Sequence, residues 1–176
     1  VDLFIEGLQA LGAIIDIEDG YVVTKAPAGG RLIGNKYVFP KVSVGATHVM
    51  LMAAALAKGE TVIENAAMEP EVVNLADCLN AMGAKIEGAG TPTINIQGAT
   101  HLTGARHRVI PDRIETGTYA MAVAMTGGDV LLEGARPELL QAALDILVKA
   151  GVEIAPTNSG IRVRRNGHGI DPVDVR

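Results

Sequence analysis

The chain has 176 residues, 48% of them hydrophobic and 20% charged, which is enough for the core of one ordinary domain or two small ones. Its formal net charge of −5 argues against a nucleic-acid-binding surface, because such surfaces normally carry a basic excess. The single cysteine excludes an internal disulfide framework and suits a cytoplasmic protein, and no apolar run is long enough to span a membrane. The four histidines lack metal-ligand spacing, so we predict no metal site; we also expect no cofactor.

The first predicted element is a helix in VDLFIEGLQALGA, which already has the pattern of a helix interior at its first residue. Gly12 suits the left-handed position that follows a helix, and two short strands are predicted in IIDIEDGYVV. At the other end of the chain, DPVDVR stops on an alternating strand pattern. We therefore expect the chain to be a piece of a longer protein.

The order of a helix, a glycine and two strands recurs twice, with Gly83 and Gly151 in the place of Gly12 at intervals of 71 and 68 residues. Before each of these two copies come an apolar helix, at about 44–57 or about 116–126, and a strand, ETVIEN or DVLLEG. A further strand, NKYVFP or RHRVIP, precedes each apolar helix. The repeating unit is thus predicted to be helix–strand–helix–strand–strand.

The two helices of a unit differ in their patterns. The first is apolar nearly all round, which predicts burial on every side, whereas the second keeps a polar stripe that faces water. An α/β (α+β) fold in which sheets surround buried helices, an inside-out barrel, satisfies this pattern, and it would be incomplete in this chain. Pro111 favours a boundary there, which predicts two parts at residues 1–110 and 111–176.

The start of the first apolar helix, in FPKVSVGATHVM, has the composition of an anion site. Lys41 supplies a cation, Ser43 a hydroxyl, and Gly45 a backbone that a ligand can approach closely. The unpaired N–H groups of a helix N-terminus add a partial positive charge. These residues predict a phosphate or diphosphate site. The alternative is that Ser43 merely caps the helix and Lys41 covers apolar surface with its stem.

The second apolar helix provides an internal comparison. Arg113, Glu115 and Gly117 follow Lys41, Ser43 and Gly45 by 72 residues each. A carboxylate at position 115 would repel a phosphate. We therefore predict that the scaffold recurs but that only the first copy binds an anion.

Four motifs in order, VDL, KVSVGAT, ENAAMEPE and PDRIETGT, resemble the enolpyruvyltransferase family, and within it the UDP-N-acetylglucosamine 1-carboxyvinyltransferases. The resemblance implies two inside-out barrels with the substrates in the cleft between them. It makes residues 1–110 the second part of the first barrel and 111–176 the first part of the second. The implied protein is a cytoplasmic transferase of peptidoglycan synthesis and cell wall biogenesis, and thus of cell shape and cell division. Its implied reaction moves the enolpyruvyl group of phosphoenolpyruvate to the 3′-hydroxyl of UDP-N-acetylglucosamine.

The resemblance also implies roles for individual residues. The expected substrate-binding residues are those at the helix start and the first three of the chain, which match the end of a stretch around the uracil: Lys41, Val42, Ser43, Val44, Gly45, Val1, Asp2 and Leu3. The expected cleft residues are Glu69, Glu71, Asp112, Arg113 and Glu115. Two alternatives stay open. Glu69 and Glu71 also complement a helix dipole beside Pro70. Asp112, Arg113 and Glu115 equally suit a structural role between domains.

No catalytic residue is expected within the chain, because the resemblance places the acid, the base and the reactive cysteine outside it. Cys78 lies in an amphipathic helix beside Asp77 and is predicted to be a packing residue. The isolated chain is accordingly predicted to be inactive.

Two other functions compete with this interpretation. Enolpyruvylshikimate phosphate synthase shares the architecture, but it favours a serine-rich stretch where this chain has KVSVGAT. A non-catalytic repeat scaffold would bind proteins through exposed sheet faces or edges. Small-molecule substrates are the partners we expect, with neither nucleic acid nor membrane, and self-association is expected for the isolated chain.

Overall fold

The computed structural model describes residues 1–167 and 169–174, and the chain divides into two compact units, Val1–Val109 and Ile110–Arg176, called unit 1 and unit 2 below. The elements of unit 1 are α1 (Asp2–Ala10), β1 (Ile14–Glu18), β2 (Tyr21–Lys25), β3 (Lys36–Val38), α2 (Val44–Ala55), β4 (Glu60–Glu64), α3 (Pro70–Ala81), β5 (Lys85–Glu87) and β6 (Thr93–Gln97). Those of unit 2 are α4 (Arg113–Thr126), β7 (Gly128–Glu133), a 3₁₀ turn (Pro137–Leu139), α5 (Gln141–Lys149), β8 (Glu153–Thr157) and β9 (Gly160–Arg165).

The predicted repeat is confirmed in its order of elements. From α2 to β6 and from α4 to β9, each unit contains helix, strand, helix and two strands. Gly12, Gly83 and Gly151 follow the helices with φ of +89°, +102° and +89°, the left-handed conformation that the sequence predicts. Unit 1 contains the antiparallel pair β1-β2 and a four-stranded sheet in the order β3-β4-β6-β5, and unit 2 a three-stranded sheet in the order β7-β9-β8.

The helix α2 lies at the centre of the unit 1 core. It packs against α1, α3, β4 and β6, and its Met50, Leu51 and Ala54 are fully buried beside Ile63 and Ile94 of the sheet. A β-carbon added at Gly7 of α1 would lie 2.7 Å from the Met50 sulfur, so glycine allows the two helices to pack closely.

Burial of α2 on every side is not what the structure shows. Met52 is 50% exposed and Leu56, the C-cap residue, 42% exposed, because the neighbouring elements of unit 1 cover only part of the helix circumference. Helix α4 behaves in the same way in unit 2, where Ile114, Met121 and Met125 are exposed although Val123 and Ala124 belong to the core. The all-round apolar pattern therefore overestimates the burial of both helices within their own units.

Two predicted elements near the boundary are wrong. The segment RHRVIP forms no strand, and among the described residues β7 pairs only with β9. Helix α4 begins at Arg113 rather than near 116, because the Asp112 side chain caps it about one turn earlier. The third amphipathic helix is also interrupted, since Pro137–Leu139 forms a 3₁₀ turn before α5.

The described part of the chain, residues 1–167 and 169–174, includes no helix with both the length and the apolar character needed to cross a membrane. It also includes no group of three His, Cys, Asp or Glu side chains that could hold a metal ion.

Candidate functional site

The N-terminus of α2 is capped by a neutral side chain. Ser43 is the N-cap residue with φ −148° and ψ 118°, and its Oγ accepts a hydrogen bond of 3.3 Å from the Ala46 N–H. The N–H groups of Val44 and Gly45 have no acceptor among the hydrogen bonds of the described residues. Two backbone donors and the positive end of the helix dipole are therefore available to an anion.

Lys41 and Val42 precede this cap and are exposed; 49% of Val42 is accessible to solvent. Within the described ranges, Lys41 takes part in no ion pair, unlike Lys36, whose Nζ lies 2.8 Å from Glu64 Oε1. A lysine without an ion pair, shortly before two unpaired backbone amides in the sequence, is a combination that suits a phosphate or diphosphate group.

A glycine at position 45 is favoured by helix packing, which the sequence did not indicate. A β-carbon at this position would lie 3.0 Å from Phe4 Cζ of α1, so the space beside the glycine is taken by an aromatic ring rather than left open for a ligand. The expected approach of a ligand to this face of Gly45 is thus replaced by a helix–helix contact. Only its N–H group is left to contribute to an anion site.

The same contact brings two predicted parts of the site together. Val1, Asp2 and Leu3 form the start of α1, and Phe4 one residue later packs against Gly45 in the first turn of α2. Val1 is 79% exposed, whereas Leu3 packs against the core of unit 1. The starts of α1 and α2 therefore lie side by side, as a shared substrate site would require.

The segment before α3 is held close to α2 by its backbone. Asn65, with the left-handed φ of 56°, donates from Nδ2 to the Phe39 carbonyl at 2.8 Å. The Ala66 N–H donates to the Pro92 carbonyl at 3.0 Å, and the Ala67 N–H donates to Thr47 Oγ1 of α2 at 3.1 Å. The segment of residues 65–69, called the α3 leader below, is thus fixed against the first turns of α2.

Glu69 ends the α3 leader as the N-cap residue of α3, but its side chain makes no capping hydrogen bond. One of its carboxylate oxygens is buried and has no hydrogen-bond partner among the described residues. Glu71 follows in the first turn of α3, where a negative charge complements the helix dipole. Both readings of this pair, a cleft role and a dipole role, are compatible with these positions.

The remaining predicted cleft residues lie in unit 2, at the start of α4. Asp112 is the N-cap residue, and its Oδ1 accepts hydrogen bonds from the N–H groups of Ile114 at 2.8 Å and Glu115 at 3.1 Å. Arg113 and Glu115 are both in the first turn of the helix. The Asp112 carboxylate thus occupies the N–H groups of the second and third residues of α4, whereas the Ser43 hydroxyl occupies only that of the third residue of α2.

Several contacts of α2 were not predicted from the sequence. Besides Phe4 and Thr47, Arg31 donates to the carbonyls of Leu56 and Ala57 beyond the C-terminus of α2, at 3.0 Å each. The only sequence signal for Thr47 is a polar residue in an otherwise apolar helix. Cys78, by contrast, is a half-buried free thiol on α3, as expected for a packing residue.

Comparison with known proteins shows a matching family and several similar relatives. A family model described as EPSP synthase (3-phosphoshikimate 1-carboxyvinyltransferase) matches residues 1–176. The UDP-N-acetylglucosamine 1-carboxyvinyltransferase 1 of Mesorhizobium japonicum is 75% identical over 175 residues, and the UDP-N-acetylglucosamine 1-carboxyvinyltransferase of Agrobacterium fabrum is 72% identical. Both alignments cover 99% of this chain and 40% of the relative, so the chain spans about two fifths of the length of the curated relatives it matches.

Solved structures show the same fold. The enolpyruvyl transferase NikO from Streptomyces tendae matches with a TM-score of 0.75 and 21% identity, covering 97% of this chain and 43% of that protein. EPSP synthase from Acinetobacter baumannii matches with a TM-score of 0.63 and 24% identity, covering 93% and 38%. The prediction of an α/β fold related to the enolpyruvyl transferases is confirmed, and an incomplete inside-out barrel is consistent with these matches.

Proposed function

We propose, because the chain belongs to the EPSP synthase (3-phosphoshikimate 1-carboxyvinyltransferase) family, that it is part of a transferase acting on UDP-N-acetylglucosamine. One observation carries the proposal: 99% of the chain aligns at 75% identity with a relative that has this activity in its name. The reaction would move the enolpyruvyl group of phosphoenolpyruvate to the sugar 3′-hydroxyl and release phosphate. It would belong to cytoplasmic peptidoglycan synthesis, and so to cell wall biogenesis, cell shape and cell division.

The start of α2 would bind the diphosphate of the nucleotide sugar. The unpaired N–H groups of Val44 and Gly45 and the ammonium of Lys41 supply the donors, while Ser43 and Val42 border them. Val1, Asp2 and Leu3, beside this helix start through the Phe4–Gly45 contact, would border the uridine end of the substrate. Glu69 and Glu71 in unit 1 would face the substrates, and so would Asp112, Arg113 and Glu115 in unit 2.

Within this proposal, unit 1 is the second part of the first barrel and unit 2 the first part of the second. The family resemblance implies that the acid, the base and the reactive cysteine of the transfer lie outside this chain, so we expect the isolated chain to be inactive. Two or three charge-assisted hydrogen bonds contribute about 1.5–3 kcal/mol each, against an association cost of at least ~4 kcal/mol. We therefore expect the isolated chain to bind the nucleotide sugar with a Kd in the millimolar range.

Sequence identity argues against the nearest alternative substrate. The relatives named for UDP-N-acetylglucosamine are 72% and 75% identical to this chain, whereas the EPSP synthase structure is 24% identical. A non-catalytic scaffold has no support of comparable strength. Self-association of the isolated chain stays a prediction.

A chimera would test the proposal directly. In this chimera the chain replaces the matching segment of the Mesorhizobium japonicum relative. We expect it to release phosphate from phosphoenolpyruvate with UDP-N-acetylglucosamine as acceptor, and not with shikimate 3-phosphate. A folded chimera that fails with the first acceptor, or prefers the second, would contradict the proposal.

Lys41→Ala in the chimera tests the diphosphate site. Loss of a charge-assisted contact worth about 1.5–3 kcal/mol should raise the Kd for UDP-N-acetylglucosamine at least about tenfold, measured by isothermal titration calorimetry. Lys58→Ala is the matched control, because Lys58 is an exposed lysine of the same unit outside the proposed site. An unchanged Kd in Lys41→Ala would leave the site without support.

A further inference from the structure

The inference concerns Thr47, a threonine in the second turn of α2 that is fully buried. Its Oγ1 donates a hydrogen bond of 2.8 Å to the Ser43 carbonyl and accepts one of 3.1 Å from the Ala67 N–H. A single hydroxyl therefore joins the N-cap residue of α2 to the α3 leader. Ser and Thr suit this role, because one short hydroxyl group can donate to the carbonyl four residues earlier and still accept from a neighbouring N–H.

From this arrangement, we propose that Thr47 is a positioning residue for the nucleotide-sugar site. The inference rests on the proposed function of the α2 N-terminus. Thr47 contacts no ligand in this role; it acts through Ser43, whose backbone it holds at the start of the anion site, and through Ala67, two residues before Glu69. Its hydroxyl keeps the helix start and the α3 leader in one fixed arrangement, so that the donors of α2 meet the substrate without reorganisation.

The surroundings of Thr47 make its hydrogen bond with the Ala67 N–H costly to lose. Ala66 and Ala67 are 2% and 0% exposed, and water therefore has little access to the Ala67 N–H if its acceptor is lost. A buried donor without a partner costs about 1–3 kcal/mol. The α3 leader would then have to move away from α2 to find another acceptor, which would disturb the proposed cleft.

Thr47→Val in the chimera removes the hydroxyl and keeps the β-branched shape. We expect about a tenfold higher Kd for UDP-N-acetylglucosamine, measured calorimetrically on the folded fraction, with KM raised more than kcat is lowered. Thr47→Ser keeps the hydroxyl and should restore the Kd to within about twofold. An effect on thermal stability alone, with an unchanged Kd, would overturn the positioning role.

The chain offers a matched control in Thr61, which is also fully buried in unit 1 and whose hydroxyl has no partner among the described residues. Thr61→Val should leave the Kd unchanged, because no hydrogen bond is lost. If Thr61→Val raises the Kd as much as Thr47→Val does, the effect comes from general core perturbation and the inference fails.

A second measurement covers the case in which Thr47→Val does not fold. In the unsubstituted chimera, UDP-N-acetylglucosamine should slow hydrogen exchange of the Ala67 amide at least about tenfold, because the ligand stabilises the same arrangement. Unchanged exchange of that amide on binding would overturn the inference. Failure of the unsubstituted chimera to bind UDP-N-acetylglucosamine would instead overturn the proposed function, so the two failures are distinguishable.

Discussion

The helices α2 and α4 occupy the same place in the repeat, but their N-termini are built differently. The neutral Ser43 hydroxyl caps α2 and leaves the N–H groups of Val44 and Gly45 without an acceptor among the described residues. The Asp112 carboxylate caps α4 and accepts two backbone N–H groups, and Glu115 adds a second negative charge in the first turn. The start of α2 therefore keeps donors for the anion that we propose, whereas a carboxylate of the protein itself binds two donors of α4.

This contrast shows how a repeat keeps its fold and changes its chemistry. Both helices still pack their apolar residues on a sheet of their own unit, with Ala54 of α2 and Ala124 of α4 in the respective cores. The difference lies in the cap residues Ser43 and Asp112 and in Glu115, none of which belongs to those cores. A change of cap is therefore compatible with the same scaffold.

The largest expected effect comes from giving α2 the acidic cap of α4. Ser43→Asp in the chimera places a carboxylate where we propose a diphosphate binds. Two like charges at ~5 Å repel by about 3 kcal/mol at an effective dielectric constant of ~20, which corresponds to about a hundredfold rise in the Kd for UDP-N-acetylglucosamine. Isothermal titration calorimetry measures this change.

Ser43→Asn separates charge from capping, because asparagine caps helices about as well as aspartate and is neutral. Its Kd should stay within a few fold of that of the unsubstituted chimera. Equal weakening by the two substitutions would mean that the charge of the cap does not distinguish α2 from α4 in the way we propose.

A smaller effect is expected from removing the cap of α4. Asp112→Ala leaves the N–H groups of Ile114 and Glu115 without their carboxylate acceptor, which should lower the free energy of unfolding by about 1 kcal/mol. Urea denaturation of this chain, followed by circular dichroism, measures the change. Asp112→Asn retains the capping oxygen and should lose less; a loss as large as that of the alanine variant would contradict the capping role.

The smallest effect concerns the sheet of unit 2. Asp129 of β7 accepts two hydrogen bonds of 2.7 Å from Arg162 of β9, and these, with the nearby charges of Arg162 and Arg164, lower the pKa of the Asp129 carboxyl. A lowered pKa contributes stability that is complete above the ordinary value near 3.8 and is lost as the pH falls through the lowered one.

Asp129→Asn should therefore weaken the pH dependence of unfolding below about pH 4, measured by urea denaturation between pH 3 and pH 7. The change should be small, because the pair is exposed to solvent. Glu133→Gln is the matched control, since Glu133 lies on the same strand and has no ion pair in the described part of the chain. The same pH dependence in Asp129→Asn and the unsubstituted chain would contradict this assignment.

Local signals predicted much of the fold. Neighbouring residues alone indicated the glycines after α1, α3 and α5 and the order of elements in the repeat. This is because capping and amphipathic periodicity act over a few positions. A local signal for the early start of α4 was also present, because its N-cap residue Asp112 is of a type that caps helices strongly. The strand expected in RHRVIP led to a later predicted start. A strand needs a partner, and its presence cannot be read from the strand's own residues.

The candidate site also has features that neighbouring residues indicate and features that depend on distant parts of the chain. Lys41, Ser43 and the start of an apolar helix are close together in the chain, so an anion site there could be proposed from residue order alone. Long-range packing set the rest: Phe4 occupies the space beside Gly45, and the Thr47 hydroxyl reaches Ala67, twenty residues away. Such contacts depend on how helices pack against one another and against loops, which composition and spacing do not reveal.

Local physics thus accounts for which segments are helices or strands and for the anionic ligand that the first turn of α2 suits. The folded arrangement accounts for the neighbours of that turn, for the exposure of Met52 and Leu56, and for the use of Gly45 in packing. The reason is that caps and periodicity act between residues a few positions apart, whereas packing and hydrogen bonds between elements arise only when distant segments meet.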